Sequence, residues 1–196
     1  TQSRSSAASD VYKRQIINTM MDRIVHRGPN SSGEYIDKHV ALGFRRLSII
    51  DLEGGTQPIY NEDRTKIIIF NGEIYNYQPL REELIAAGHV FQTHADTEVL
   101  LHGYEEWGTE LLQKIRGMFA FAIWDNEKNE LFGARDHFGI KPYYYAEMNG
   151  TFMFGSEIKS FLPHPDFNKE LNKEALKPYM TCLLYTSPSP RDQRGS

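Results

Sequence analysis

Cysteine is almost absent from this sequence: the 196 residues contain one, Cys182, close to the end. A single thiol cannot form a disulfide within the chain, so the sequence is typical of a protein from a reducing compartment, and we expect the cytoplasm. None of the seven histidines falls in a spacing typical of metal ligands, and no cysteine is available to join them. We therefore expect no metal site in this chain.

Long apolar runs, an excess of basic residues and glycine-rich phosphate loops are also missing. No apolar stretch approaches the roughly 18 residues that span a bilayer, so we expect no membrane segment. The net charge of -4 gives no basic surface for nucleic acid. Neither familiar glycine-rich nucleotide motif is present, so no cofactor is expected in this part of the protein.

The two ends of the sequence differ from its middle. Residues 1–15 and 182–196 show no apolar periodicity, which is typical of disordered tails. The stretches "SSAASDVYKRQ" and "CLLYTSPSPRD" also back-translate into sequences that resemble transposon-type sequencing adapters. We therefore interpret both ends as translated adapter and residues 16–181 as one biological domain, truncated on both sides. On this interpretation the domain itself contains no cysteine.

Between the two ends, apolar periodicity predicts hairpins with helices grouped between them. The stretch 118–124, "MFAFAIW", is apolar on both faces and must be covered on both sides. The chain is therefore predicted to be α+β, with stacked antiparallel sheets covered by helices. The expected strands include 34–37, 40–51, 65–77 and two hairpins that turn at Asn126–Asn129 and Asn149-Gly150; the expected helices are 16–24, 77–87, 97–107 and one starting near Asn172.

Asn71-Gly72 lies between two apolar runs in "TKIIIFNGEIYNY". Asn-Gly in this context is a strong signal for a hairpin turn. The alternative is functional: the Asn71 amide and the Gly72 backbone N–H would converge on one point, as in an oxyanion hole. Composition alone leaves both interpretations open.

Charged residues near two other element ends allow similar alternatives. Arg45 and Arg46 in "RRLSIID" suit either a solvated strand edge or a grip on a carboxylate through two parallel hydrogen bonds. Asp96 in "HADTEVLL" stands just before a predicted helix, where an N-cap is the simple explanation.

Taken together, the motifs carry a family resemblance. "HRGPNSSG", "RRLSIID", "FNGEIYNY", "HADTEVLL", "GMFAFAIWD", "ARDHFGIKPYYY" and "SEIKSF" follow one another along the domain. In this order they closely resemble the N-terminal glutaminase domain of glutamine-dependent asparagine synthetases, which are class II (N-terminal-nucleophile) amidotransferases. One departure is Asn30, where the family usually has Asp. The resemblance implies an αββα sandwich that here lacks its first strand.

The resemblance also implies a role for each matching residue. Arg46 would bind the α-carboxylate of glutamine, and Ile49 and Ile50 would offer backbone contacts. Glu73 and Asp96 would bind its α-ammonium group. Asn71 and Gly72 would form the oxyanion hole.

The nucleophile of this family is a cysteine at the mature N-terminus, on a first strand that this chain does not contain. By resemblance, an ATP-dependent synthetase domain that uses Mg²⁺ and amidates aspartate would follow residue 181. We therefore expect this chain to bind glutamine but to be inactive alone, and the resemblance admits a homodimeric parent. Two alternatives stay open: a related amidotransferase with another acceptor, and a non-catalytic domain of the same fold.

Overall fold

The computed structural model describes residues 2–47 and 57–170 together with residues 173, 174, 176 and 180, and the side chains of this part from Ser9 onward. The helices are α1 (Gln2–Asp22), α2 (Tyr77–Ala86), α3 (Asp96–Trp107) and α4 (Leu111–Lys114). The strands are β1 (Ser31–Ile36), β2 (Ala41–Arg46), β3 (Ile59–Tyr60), β4 (Lys66–Ile74), β5 (Gly117–Asp125), β6 (Glu130–Arg135), β7 (Tyr144–Met148) and β8 (Thr151–Gly155). No described helix is both long and apolar enough to cross a membrane.

The central sheet has the strand order β3-β4-β5-β6, and all its pairs are antiparallel. Strand β5 is buried on both faces, as its apolar sequence predicts. Phe119, Phe121 and Ile123 belong to the core on one side of the sheet, whereas Trp124 belongs to a separate cluster on the other side. Successive side chains of a strand point to opposite faces of the sheet, which explains why neighbouring residues of β5 belong to different clusters.

Helices α2 and α3 cover one face of the central sheet, where Leu84 and Leu100 pack in the same cluster as Phe70. The hairpins β1-β2 and β7-β8 cover the other face. Helix α1 packs outside them, with Met20 in contact with the cluster of Met153. The layers are therefore helix, sheet, sheet and helix, which confirms the predicted sandwich. The second sheet layer consists of two hairpins that are not hydrogen-bonded to each other.

The hairpin interpretation of Asn71-Gly72 is wrong, because β4 runs through both residues without a turn. Asn71 pairs with Ala120 and Gly72 with Phe119 on β5. A Cβ atom on Gly72 would lie 2.2 Å from the carbonyl oxygen of Met118, so the close approach of β5 requires glycine here. The glycine that imitates a turn signal is thus a packing requirement inside a strand.

The other turn predictions are confirmed. Asn149 and Gly150 have φ angles of 53° and 76° and connect β7 to β8, as expected for Asn-Gly in a two-residue hairpin. The polar turn between β5 and β6 is also present, and Asn129 there has a φ of 53°. Helices α2 and α3 lie where apolar periodicity predicts them.

Helix α1 includes the N-terminal residues of the chain. Residues 2–15, interpreted above as translated adapter, continue α1 in one helix, which their Ala, Arg, Lys and Gln content permits. The Nζ atom of Lys13 donates a hydrogen bond to the carbonyl oxygen of Asp37, at 2.7 Å. The expected helix start at Asn172 lies outside the described residues, and so does Cys182.

The turn after β6 is fixed by Asp136, a buried carboxylate. It accepts hydrogen bonds from the backbone N–H groups of Ile140 at 2.8 Å, Lys141 at 2.9 Å and Phe119 at 3.3 Å. Burial raises the pKa of this carboxyl, but the backbone hydrogen bonds outweigh burial and lower the pKa below its ordinary value. The ionised form is therefore the one that the fold requires.

Asp136→Ala is expected to lower the free energy of unfolding of this chain by about 2–4 kcal/mol, because it leaves buried N–H groups without acceptors. Denaturant unfolding of the chain and the variant measures the difference. The difference should be full above about pH 4 and shrink at lower pH, because a carboxyl with a lowered pKa stabilises only while it is ionised. Asp63→Ala, an exposed turn aspartate, is the control and should have a much smaller effect. Equal losses in both variants would contradict this role of Asp136.

Candidate active site

A cavity of about 780 Å³ lies between β2, β4 and β8, beneath α1. It occupies the space where the two outer hairpins are not paired with each other. Four of the residues predicted from the sequence line this cavity: Arg46, Asn71, Gly72 and Asp96. They come from three different elements, so the fold brings together side chains that lie up to 50 positions apart in the sequence.

The two arginines of "RRLSIID" are the last two residues of strand β2, and both line the cavity. The Nη2 atom of Arg45 lies 2.9 Å from Oδ1 of Asp22, at the end of α1, and Arg45 is ion-paired there. Arg46 ends the strand and is half-buried at the cavity. Arg46 therefore lies at the cavity and not at a fully solvated strand edge, and whether it binds a ligand stays a prediction. Ile49 and Ile50 follow it but lie outside the described residues.

The loop of the motif "HRGPN" supports the backbone of Arg46. The backbone N–H of Asn30 donates a hydrogen bond to the Arg46 carbonyl oxygen at 3.1 Å. A Cβ atom on Gly28 would lie 2.5 Å from the Arg46 nitrogen, so only glycine allows this close approach. Because Asn30 acts through its backbone in this bond, the replacement of the usual Asp leaves the bond intact.

Strand β4 brings Asn71 to the cavity. Phe70 and Ile74 lie on the helix-covered face, so Asn71 and Glu73 lie on the opposite face. Asn71 is half-buried and lines the cavity together with the Gly72 backbone. Glu73 is exposed and does not line the cavity, although its charge acts on Asp96.

Asp96 is the first residue of α3, and Ala95 occupies the N-cap position. Oδ2 of Asp96 accepts a hydrogen bond from the backbone N–H of Ile74 at 2.9 Å, which links the start of α3 to the end of β4. Burial raises the pKa of Asp96, and the nearby charge of Glu73 adds to this effect. Asp96 is thus a cavity carboxylate and not the N-cap that the simple explanation predicts.

Gln57, which sequence reasoning missed, is buried and also lines the cavity. Its side-chain amide donates to the Phe70 carbonyl oxygen at 3.0 Å and accepts from the Phe70 N–H at 2.6 Å. These two bonds fix β4 directly before Asn71. Gln57 lies 13 positions before Phe70 and outside any periodic apolar pattern, so the sequence does not reveal this contact.

Glu157 joins two motifs that are far apart in the sequence. It accepts from Nε2 of His26 at 2.9 Å and from Nη1 of Arg27 at 3.3 Å, and it lies 3.0 Å from Nζ of Lys159. Burial opposes ionisation, but the hydrogen bonds from Lys159, His26 and Arg27 prevail and lower the pKa of Glu157 to about 2. The motifs "HRGP" and "SEIKSF" therefore meet beside the cavity, at Arg27.

Comparison with known protein families gives a match to the glutamine amidotransferase domain over residues 5–192. This match covers nearly the whole chain. The chain belongs to the glutamine amidotransferase domain family. The matched range includes both the cavity and the motifs that surround it.

Several asparagine synthetases are similar to this amidotransferase domain. It is 52% identical over 185 residues to "Asparagine synthetase [glutamine-hydrolyzing] 1" of Bacillus subtilis, covering 94% of this chain and 29% of that protein. It is 45% identical over 139 residues to "Asparagine synthetase B [glutamine-hydrolyzing]" of Escherichia coli, covering 70% of this chain and 25% of that protein. The chain thus spans less than a third of the length of these relatives.

A solved structure supports the fold. The glutamine phosphoribosylpyrophosphate amidotransferase of B. subtilis superposes on 75% of this chain and 40% of its own, with a TM-score of 0.62 and 22% sequence identity. At this identity the likeness shows the fold and not the substrate. It confirms that this amidotransferase domain has the sandwich of the N-terminal-nucleophile amidotransferases.

Proposed function

We propose that this amidotransferase domain binds glutamine in the cavity and that the intact protein hydrolyses it to glutamate and ammonia. The observation that carries the proposal is that a cation, a carboxylate and a side-chain amide line the same cavity: Arg46, Asp96 and Asn71. Further cations belong to this lining, whereas Asp96 is the one carboxylate among its described residues. A free α-amino acid carries both charges, and its binding site needs one partner for each.

In the proposed complex, Arg46 binds the α-carboxylate, and the backbone of Ile49 and Ile50 adds contacts. Asp96, together with Glu73, binds the α-ammonium group. The resulting position directs the side-chain amide of glutamine towards β4.

At β4, the Asn71 side chain and the Gly72 backbone N–H stabilise the negative oxygen that forms when the amide carbon is attacked. The attacking group is the thiolate of a cysteine at the mature N-terminus, whose α-amino group takes the thiol proton. That proton passes to the leaving ammonia, and water then cleaves the thioester to give glutamate.

We further propose that the parent protein is an asparagine synthetase. The relatives above are named for this activity, and in the parent protein a further domain that uses ATP and Mg²⁺ to amidate aspartate would follow the position of residue 181. No cofactor is assigned to the domain described here. A cytoplasmic location and a homodimeric parent complete the proposal.

Recovery of the flanking gene sequence, followed by assay of the completed protein, tests this function. A cysteine codon directly after the start codon and glutamine-dependent asparagine formation support it. A missing cysteine codon would favour the non-catalytic alternative, and ammonia transfer to another substrate would favour the related amidotransferase.

In the completed protein, Asp96→Ala is expected to raise KM for glutamine at least about tenfold, because the α-ammonium group loses a carboxylate partner; a hydrogen bond to a charged group is worth about 1.5–3 kcal/mol. Synthesis from free ammonia should be unchanged, because the acceptor site lies in another domain. Steady-state kinetics with both nitrogen sources measures this. Glu82→Ala, which removes an exposed carboxylate on α2 that does not line the cavity, is the control and should keep the parent KM. A normal glutamine KM for Asp96→Ala would remove Asp96 from the binding site.

A further inference from the structure

A second group of polar side chains gathers where the segment after α2 meets α3. His89 follows α2, and His102 and Glu105 lie one turn apart on α3. One donor atom from each of the three lies within 4.8 Å of the other two. We propose that His89, His102 and Glu105 form a binding site for a zinc ion, contrary to the expectation from histidine spacing alone.

Two of the three distances between ligand atoms bracket the value that a tetrahedral site requires. Oε2 of Glu105 lies 2.8 Å from Nδ1 of His102 and 3.8 Å from Nδ1 of His89. Zinc bonds of about 2.0–2.1 Å in tetrahedral geometry place ligand atoms about 3.3 Å apart, so these two distances lie on either side of the required value. Oε1 of Glu105 accepts a hydrogen bond from Asn61 at 2.7 Å, which holds Oε2 towards the two histidines.

The far nitrogen of each histidine faces a further carboxylate. Nε2 of His89 lies 3.2 Å from Oε2 of Glu106. Nε2 of His102 lies 3.6 Å from Oε1 of Glu98 and makes no hydrogen bond, although it is buried. Histidines that bind metals usually have a carboxylate or carbonyl at the second ring nitrogen, which sets the tautomer and strengthens the ligand. Glu106 meets this requirement for His89, and Glu98 is the nearest carboxylate to the buried second nitrogen of His102.

Burial and charge favour a cation at this place. The His102 side chain is 1% exposed, whereas those of His89 and Glu105 are 16% and 17% exposed, so one side of the site is open to water. The carboxylates of Glu98, Glu105 and Glu106 lie around the two histidine rings. These negative groups favour a cation at the site, where each histidine would bind as the neutral ring.

The proposed zinc ion would connect the segment after α2 to α3. None of the three ligands lines the glutamine cavity. The expected effect is therefore on the stability of the fold and not on glutamine hydrolysis, and the proposal does not depend on the proposed function.

The test uses the 196-residue chain with Cys182→Ser, so that the thiol does not contribute ligands. After treatment with a chelator, calorimetric titration with Zn²⁺ alone should show one equivalent bound. At free Zn²⁺ of about 100 times the Kd, Tm should rise by about 5–10 °C. His89→Gln and Glu106→Gln, both at accessible positions, should weaken binding by about 10–100-fold or more.

His94→Gln, which removes an exposed histidine outside the site, is the matched control and should bind as the parent does. Circular dichroism of each variant without Zn²⁺ verifies that it is folded. The proposal is wrong if the parent shows no saturable binding. It is equally wrong if folded His89→Gln binds with the parent affinity, or if His94→Gln weakens binding as much as His89→Gln does.

Discussion

Asn71→Ala in the completed protein is expected to lower kcat for glutamine hydrolysis by about 10²–10³-fold, with a small change in KM. The loss of one oxyanion donor typically costs about 2.7–4 kcal/mol of transition-state stabilisation. The Asn71 side chain faces the cavity from the middle of β4 and belongs to no turn, so its removal leaves the strand pairing with Ala120 intact. Steady-state release of ammonia measures the effect.

Asn76→Ala is the matched control for Asn71→Ala. Asn76 follows the same strand and does not line the cavity; its side chain donates to the Lys114 carbonyl oxygen at 2.9 Å and accepts from the Arg116 N–H at 2.8 Å. Its removal should lower Tm and leave kcat per folded molecule unchanged. If Asn71→Ala behaves in this same way, its role is structural and the oxyanion assignment is wrong.

The layers of the fold could be predicted because burial leaves a direct record in the sequence. A strand that is apolar on both faces, such as β5, has to be covered twice, and apolar residues at helical spacing mark the inner faces of α2 and α3. These signals depend on residues that are neighbours along the chain, so one sequence is sufficient to find them.

The features that the sequence did not predict correctly depend on contacts between segments that are distant along the chain. Asn71-Gly72 imitates a turn because glycine is needed both in tight turns and where another backbone approaches closely; here the neighbour is Met118, 46 positions away. Local sequence does not distinguish the two causes. Arg45 and Arg46 carry the same charge and both line the cavity, and only the position of α1 gives Arg45 its ion pair with Asp22.

The proximity of two histidines is likewise not visible in the local sequence. His89 and His102 are 13 positions apart and match no metal-binding pattern. Their rings nevertheless lie 5.0 Å apart, because the segment after α2 returns along α3. The order of the motifs, by contrast, predicted the amidotransferase family from the sequence alone, because the motifs are distributed over the whole domain.

The 196-residue chain itself is expected to release no ammonia from glutamine and to show no saturable labelling by an electrophilic glutamine analogue. Such an analogue labels this class of enzyme because binding directs it to a thiolate in the cavity. Cys182 is the one thiol in the sequence, and no cysteine lines the described cavity. Arg46, Asn71 and Asp96 are therefore predicted to bind glutamine without a nucleophile to attack it.

Cys182 provides the internal control for this prediction. A free cysteine thiol is mostly protonated at neutral pH because its ordinary pKa is about 8.5, so slow reaction with a general alkylating agent is expected. Glutamine should not protect Cys182 from this reaction, because the thiol is predicted to lie in translated adapter sequence and not at the site. Ammonia assays and mass spectrometry of the labelled chain measure both effects. Ammonia release by the purified chain that disappears in Cys182→Ser would show that this thiol is the nucleophile, and both the adapter interpretation and the missing-nucleophile argument would then be wrong.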